Sequence, residues 1–115
     1  MSLKESIGSQ LIGHHFSAKG NRTFQAFAPL HQEWLPQPFT EATTAEIDEA
    51  VTLAAQAFTS YRKRSPAQRA DFLLAIANNI LALGDELLHA ASGETGLPLA
   101  RLQGERERTV NQLRL

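Results

Sequence analysis

The sequence predicts an α+β fold in which N-terminal β-hairpins are followed by four helices. Residues 1–42 alternate short apolar runs with turn-forming residues, a pattern typical of hairpins. Residues 43–115 instead repeat apolar residues at helical spacing and carry helix-capping signals. We therefore divide the chain into an N-terminal hairpin arm (1–42) and a helical part (43–115).

Composition and charge exclude several classes of protein. The chain has 115 residues, with 11 Lys and Arg against 12 Asp and Glu. This balance gives no support to a nucleic-acid partner. No run approaches the roughly 20 apolar residues of a membrane span, and residues 1–6 lack the apolar core of a secretory signal. We expect a cytoplasmic protein without a membrane or nucleic-acid partner.

The hairpin arm contains three short runs that read as strands, separated by turn formers. These runs are 10–12, 14–16 and 23–27. A further extended segment surrounds Trp34, where Pro36 and Pro38 lack the backbone N–H that a central strand needs. This segment is therefore predicted to lie at a sheet edge or outside the hydrogen-bonded ladder.

The first two helices each begin with a predicted capping box. Thr43 and Glu46 form the first box, and Ser65 and Gln68 the second, with Pro66 at the first helical position. The first helix then carries one apolar stripe, which is one face of an amphipathic helix: Ile47, Val51, Ala54, Ala55 and Phe58. The second carries two apolar lines, which predicts burial from both sides: Phe72, Leu73, Ile76, Ala77 and Ile80 in one, Leu74 and Leu81 in the other.

Glycines and a proline divide the rest of the helical part. Gly84 is predicted to break or bend the second helix. Gly93 and Gly96 are predicted to close a short third helix, and Pro98 to begin a fourth. The fourth helix, about 98–115, is still apolar on one face where the chain ends, and no capping residue follows. We therefore expect a chain cut short of its full fold.

The fourth helix separates its side chains onto two faces. At 100° per residue, an apolar stripe is formed by Leu99, Leu102, Val110 and Leu113. Arg106 lies within this stripe, so its guanidinium must either extend out to solvent or meet a carboxylate. We assign it to a buried structural ion pair. Arg101, Gly104 and Arg108 fall on roughly the opposite face. That face is either a solvated basic surface or a groove in which Gly104 leaves room and the arginines bind an anion.

Most catalytic patterns are absent from the sequence. Without cysteine, the chain has no disulfide, thiolate nucleophile or Cys-ligated metal. It contains no Gly-x-Gly-x-x-Gly, Walker A or Gly-x-Ser-x-Gly motif. His14 and His15 are adjacent, so in a strand they would point to opposite faces, and His31 is remote. We predict no catalytic residue, no cofactor-binding residue and no metal site in this chain.

Three segments of the helical part resemble the aldehyde dehydrogenase superfamily. Residues 65–77 resemble its R-x-x-x-L-x-x-I-A helix, and 94–98 (Glu-Thr-Gly-Leu-Pro) its E-T-G-K-P motif with Leu97 in place of Lys. Residues 94–114 are most similar to the branch containing α-ketoglutaric semialdehyde (2,5-dioxovalerate) dehydrogenases and NADP-dependent fatty-aldehyde dehydrogenases. Glu107 and Asn111 stand where that branch is expected to have Gly. The N-terminal hairpins fit the family loosely.

The resemblance implies that the chain is the N-terminal segment of a longer oxidoreductase. Residues 43–115 would then be the helical part of a Rossmann-like NAD(P)-binding domain, packed against the rest of the polypeptide. In this superfamily a cysteine thiolate attacks the aldehyde, a hydride passes to NAD or NADP, and a glutamate-activated water releases the acid. Those groups are expected downstream, so this segment is expected to be inactive alone. The full enzyme is expected to be a homo-oligomer.

The resemblance also implies a role for the fourth helix. In this superfamily the helix after E-T-G-x-P lines the substrate entrance, and Gly104 and Arg108 match lining positions. An arginine there could hold the far carboxylate of a semialdehyde as a bidentate pair. Arg108 is the first candidate and Arg101 the second. The alternative is a stand-alone, non-enzymatic helical module that binds a partner protein through its apolar and basic surfaces.

Overall fold

A computed structural model of the chain describes residues 8–115, and it contains the predicted hairpins and four helices. The strands are β1 (Gln10–Ile12), β2 (His15–Ser17), β3 (Thr23–Ala28) and β4 (Glu33–Thr40). The helices are α1 (Thr44–Tyr61), α2 (Pro66–Ala82), α3 (Gly84–Thr95) and α4 (Leu99–Leu113). The predicted α+β class is therefore confirmed.

The strands form two separate two-stranded sheets, β1 with β2 and β3 with β4. The β1–β2 pair is antiparallel, with Leu11 opposite Phe16. Gly13 adopts φ +60° in the turn between them, so β2 begins at His15, one residue later than predicted. Strand β4 pairs with β3 alone among the described strands, which lets it tolerate Pro36 and Pro38. The predicted edge position is confirmed.

Contacts within the chain define two compact units. One contains the described residues up to Ala26 together with Trp34–Lys63, and the other contains Phe27–Glu33 and Arg64–Leu115. In the first unit Ile12, Ser17 and Glu46 are buried. In the second the buried residues are Ala28, Ala77, Leu88 and Val110.

Helix α1 begins as predicted but turns a different face toward its hairpin. Both hydrogen bonds of the Thr43–Glu46 capping box are present. Glu46 is buried, and Leu53 lies on the same side of the helix, where its Cδ1 approaches Gly13. The apolar stripe lies about 120° away and stays exposed, by 53% at Ile47, 65% at Val51 and 59% at Phe58. The stripe therefore forms one face of α1 as predicted, and the described residues leave it largely uncovered.

Helices α2 and α3 are joined at a sharp bend. The Ser65–Gln68 capping box forms as predicted, with Pro66 in the first turn. Gly84 adopts φ +59°, and the two helix axes differ by 74° there. No single described helix is long and apolar enough to cross a membrane, and α2 and α3 reach that length and composition only as this bent pair. Leu74 and Leu81 remain 40% and 38% exposed, so the described residues do not cover α2 from both sides.

Helix α3 ends at one of the two glycines predicted to close it. Gly96 follows the helix in the left-handed conformation, with φ +72°, and its N–H donates to the Ser92 carbonyl. Gly93 lies inside the helix, so its predicted role in ending α3 is wrong. A glycine ends a helix only where the chain takes a positive φ, and here that residue is Gly96.

Candidate functional site

The candidate site lies on α4, which is held by its apolar side. The N–H groups of Arg101 and Leu102 donate to the Pro98 carbonyl at 3.0 and 3.2 Å and start the helix. Along its length α4 packs against α2 and α3, and Val110 is only 2% exposed in that contact. Because one side of α4 is fixed in this way, its opposite side is directed outward.

The three predicted site residues share that outward side. Arg101, Gly104 and Arg108 are all exposed. A Cβ built at Gly104 would meet no other atom within 4 Å, so the space beside the two arginines is open. The structure therefore brings the three residues onto one accessible helical face.

A hollow of about 580 Å³ runs along the C-terminal half of α4, between this face and the apolar side that carries Leu113. It is lined by Glu105, Arg108, Thr109, Gln112 and Leu113. Arg108 is therefore a wall of the hollow, whereas Arg101 and Gly104 are not among its lining residues. The Thr109 hydroxyl donates to the Glu105 backbone carbonyl at 3.0 Å. The side chains that present uncommitted charge or amide groups to the hollow are those of Glu105, Arg108 and Gln112.

Sequence reasoning missed Glu105 and Gln112, although helical geometry contained the signal. At 100° per residue, positions 101, 105, 108 and 112 fall within about 60° of one another. The sequence prediction grouped Arg101, Gly104 and Arg108 but left out Glu105 and Gln112, which lie on the same side of the helix. The hollow therefore combines one cation, one carboxylate and one amide.

Arg106 is held differently from the prediction. Its Nη1 donates to the Gly84 carbonyl at 2.9 Å, where α3 begins, and its Nε is buried without a hydrogen-bond partner. No carboxylate lies within ion-pair distance of it among residues 8–115. The predicted ion pair is therefore wrong. The charge is partly accommodated by a backbone carbonyl, while the side-chain stem lines an apolar groove with Leu83, Leu87 and Leu102.

A second polar cluster surrounds Glu46 in the other unit. The Ser17 hydroxyl donates to Oε1, and the Lys19 N–H donates to the same oxygen at 3.1 Å. The Thr43 N–H donates to Oε2 at 2.8 Å. The Ser17 hydrogen bond, followed by those from Thr43 and Lys19, lowers the pKa of Glu46 to about 2, against a desolvation effect that raises it. Both carboxylate oxygens accept structural hydrogen bonds, so Glu46 is not available as a general base.

The described residues contain no cluster of potential metal ligands, and the N-termini of two helices are occupied by their own caps. Within residues 8–115 no three His, Asp or Glu side chains lie close enough to share a metal ion. The N-termini of α1 and α2, where a phosphate could bind, are filled by their own capping boxes.

Comparison with known proteins shows which family the chain belongs to. Residues 16–115 match the model of the aldehyde dehydrogenase family, which is most of the chain. The chain belongs to the aldehyde dehydrogenase family. The resemblance drawn from residues 65–114 is thereby confirmed.

Curated relatives refine the placement within the aldehyde dehydrogenases. The chain is 50% identical over 109 residues to α-ketoglutaric semialdehyde dehydrogenase 2 of Azospirillum brasilense, covering 94% of this chain and 21% of that protein. It is 41% identical over 113 residues to α-ketoglutaric semialdehyde dehydrogenase of Acinetobacter baylyi, covering 98% and 22%. An N-succinylglutamate 5-semialdehyde dehydrogenase of Pseudomonas fluorescens is 30% identical over 109 residues, covering 93% and 22%. The chain thus spans about a fifth of these relatives' length.

Proposed function

We propose that this chain is the N-terminal segment of an NAD(P)-dependent aldehyde dehydrogenase that oxidises a semialdehyde of a dicarboxylic acid, with α-ketoglutaric semialdehyde as the favoured substrate. Family membership supports the reaction class. The names of the three relatives support the substrate class, because each is a semialdehyde dehydrogenase. Such a substrate carries an aldehyde at one end and a carboxylate at the other.

The observation that carries this substrate assignment is the accessible arginine of the α4 hollow. Arg108 has no carboxylate within ion-pair distance among residues 8–115, so its guanidinium is available to a ligand. A guanidinium holds a carboxylate through two parallel hydrogen bonds and fixes its orientation as well as its position. In the full enzyme Arg108 would hold the far carboxylate and direct the aldehyde toward the reacting groups.

The reacting groups are assigned to the remainder of the polypeptide. The chain has no cysteine for the nucleophile, and we assign the cofactor contacts to the same remainder. When bound in the full enzyme, the dinucleotide would accept the hydride. In this proposal the helical part, 43–115, belongs to a Rossmann-like cofactor domain, the segment alone is inactive, and the full enzyme is a cytoplasmic homo-oligomer.

The exposed stripe on α1 supports the assignment to a larger polypeptide. Ile47, Val51 and Phe58 present adjacent apolar surfaces that remain more than half exposed. Burying such side chains stabilises each by about 1.5–3 kcal/mol, so a surface of this kind is normally covered. The rest of the same polypeptide, about four fifths of the relatives' length, is the proposed cover.

Steady-state kinetics of the full-length polypeptide tests the proposal. Glutaric semialdehyde and pentanal have the same chain length and differ in the far carboxylate. We expect cofactor reduction with both, and a KM at least about 10-fold lower for the acid, which is the discrimination a charged hydrogen-bonded pair provides. Equal KM values would contradict the substrate class. Aldehyde-dependent cofactor reduction by the 115-residue chain alone would contradict its assignment as an inactive segment.

A further inference from the structure

The C-terminal half of the α4 hollow contains a group that the proposed function does not use. Gln112 lines the hollow one helical turn beyond Arg108, and both side chains are exposed. No hydrogen-bond partner within residues 8–115 engages the Gln112 amide. A cation and an amide donor therefore face the same open space.

We propose that Gln112 is a specificity-determining residue that recognises a carbonyl oxygen next to the substrate carboxylate, so that the hollow selects 2-oxo acids over simple acids. This inference rests on the proposed function, because it requires Arg108 to hold the carboxylate. The Gln112 side-chain NH₂ donates to the ketone oxygen while Arg108 binds the carboxylate beside it.

The spacing on the helix suits this head group. Side chains at i and i+4 have Cβ atoms about 5–6 Å apart. The carboxylate and ketone of a 2-oxo acid lie on adjacent carbons, so their oxygens present two neighbouring acceptor positions. Both Arg and Gln side chains are long enough to converge on one such head group from positions 108 and 112.

Glu105 restricts the direction in which the head group lies. Its carboxylate lines the same hollow on the N-terminal side of Arg108. A substrate carboxylate placed between Glu105 and Arg108 would meet a like charge. The same carboxylate placed between Arg108 and Gln112 can accept from the guanidinium and the side-chain NH₂ and lies further from the Glu105 charge. The ketone is therefore directed toward Gln112.

Three substrates of equal chain length separate the roles of the two residues. Pentanal has neither head group, glutaric semialdehyde has the carboxylate, and α-ketoglutaric semialdehyde has the carboxylate and the ketone. The variants are Arg108→Ala and Gln112→Met, made in the full-length polypeptide. Methionine keeps the length of glutamine and removes its amide. Gln103→Met is the matched control, because Gln103 is an exposed glutamine of α4 outside the hollow.

The proposal predicts a specific pattern of KM values. Gln112→Met raises KM for α-ketoglutaric semialdehyde about 3- to 10-fold, the effect of one neutral hydrogen bond, and leaves glutaric semialdehyde and pentanal unchanged. Arg108→Ala raises KM for both acids, and Gln103→Met changes none of the three. An Arg108 effect without a ketone-dependent Gln112 effect would overturn this inference and leave the proposed function standing. Loss of the Arg108 effect on both acids would overturn both.

Discussion

The Ser17 hydroxyl donates a hydrogen bond to the buried carboxylate of Glu46, 29 positions further along the chain. The same carboxylate completes the capping box at the start of α1 through Thr43. Glu46 therefore both caps the start of α1 and connects that helix to the β1–β2 hairpin through a hydrogen bond. The same side chain stabilises a local element and its packing within the unit.

Removing the Glu46 charge is expected to loosen this connection. Glu46→Gln keeps the shape but replaces one acceptor oxygen with a donor, so at least one of the four donor groups that now meet the carboxylate loses its partner. We expect a lower thermal midpoint for the full-length polypeptide, measured by scanning calorimetry. Glu49→Gln is the control, since Glu49 forms only a 3.6 Å contact with the exposed His15 and should change little. Equal midpoints for the two variants would contradict this role of Glu46.

The same carboxylate predicts a dependence of stability on pH. The pKa of Glu46 falls from 4.5 to about 2 on folding, so the unfolded chain binds the proton more readily. The contribution of the Glu46 carboxylate to the free energy of unfolding is present in full above pH 4.5 and is lost as pH falls toward 2. The difference in thermal midpoint between the native chain and Glu46→Gln should shrink across that window. A difference that grows as pH falls would contradict the assignment.

Two glycines of the same helix should respond oppositely to alanine. At Gly84, φ is +59°, so Gly84→Ala is expected to destabilise by about 1–2 kcal/mol even though a Cβ there would meet nothing within 4 Å. Gly93 lies inside α3 and also has open space, so Gly93→Ala should stabilise by about 0.5–1 kcal/mol. Thermal denaturation of the two full-length variants checks the signs. Effects of the same sign would show that the bend at Gly84 is wrongly described.

Glu105 is expected to oppose binding of acidic substrates. Its carboxylate lines the hollow beside Arg108, so it repels a substrate carboxylate and competes for the guanidinium. Glu105→Gln in the full-length polypeptide should lower KM for glutaric semialdehyde several-fold and leave pentanal unchanged. Glu107→Gln, on an exposed position outside the hollow, is the control. A higher KM for the acid in Glu105→Gln would mean that Glu105 positions Arg108 instead.

Local patterns predicted the elements well, because their causes lie within a few residues. Thr43 with Glu46 and Ser65 with Gln68 form their capping boxes across three positions. The partners of Glu46 on the hairpin were not predictable, since Ser17 and Lys19 lie 29 and 27 positions away. Helical periodicity located the basic face of α4 and allowed a groove there, but the prediction did not include Glu105 and Gln112 among its lining residues.

Periodicity assigned residues to helix faces correctly but did not predict what those faces would contact. Arg106 lies on the apolar stripe as predicted, yet it donates to the Gly84 carbonyl, because the bend between α2 and α3 brings a backbone acceptor to it. The stripe of α1 is apolar as predicted, yet Val51 is 65% exposed among the described residues. Periodicity establishes which residues share a face and leaves open what covers that face.

The central claim is that α4 carries the arginine that recognises the far carboxylate of the substrate. Its most direct test is KM for glutaric semialdehyde and for pentanal in full-length Arg108→Ala. We predict a rise of about 10- to 100-fold for the acid, as expected for a charge-assisted pair, and no change for pentanal. An equal change for both aldehydes, or none for either, would contradict the account.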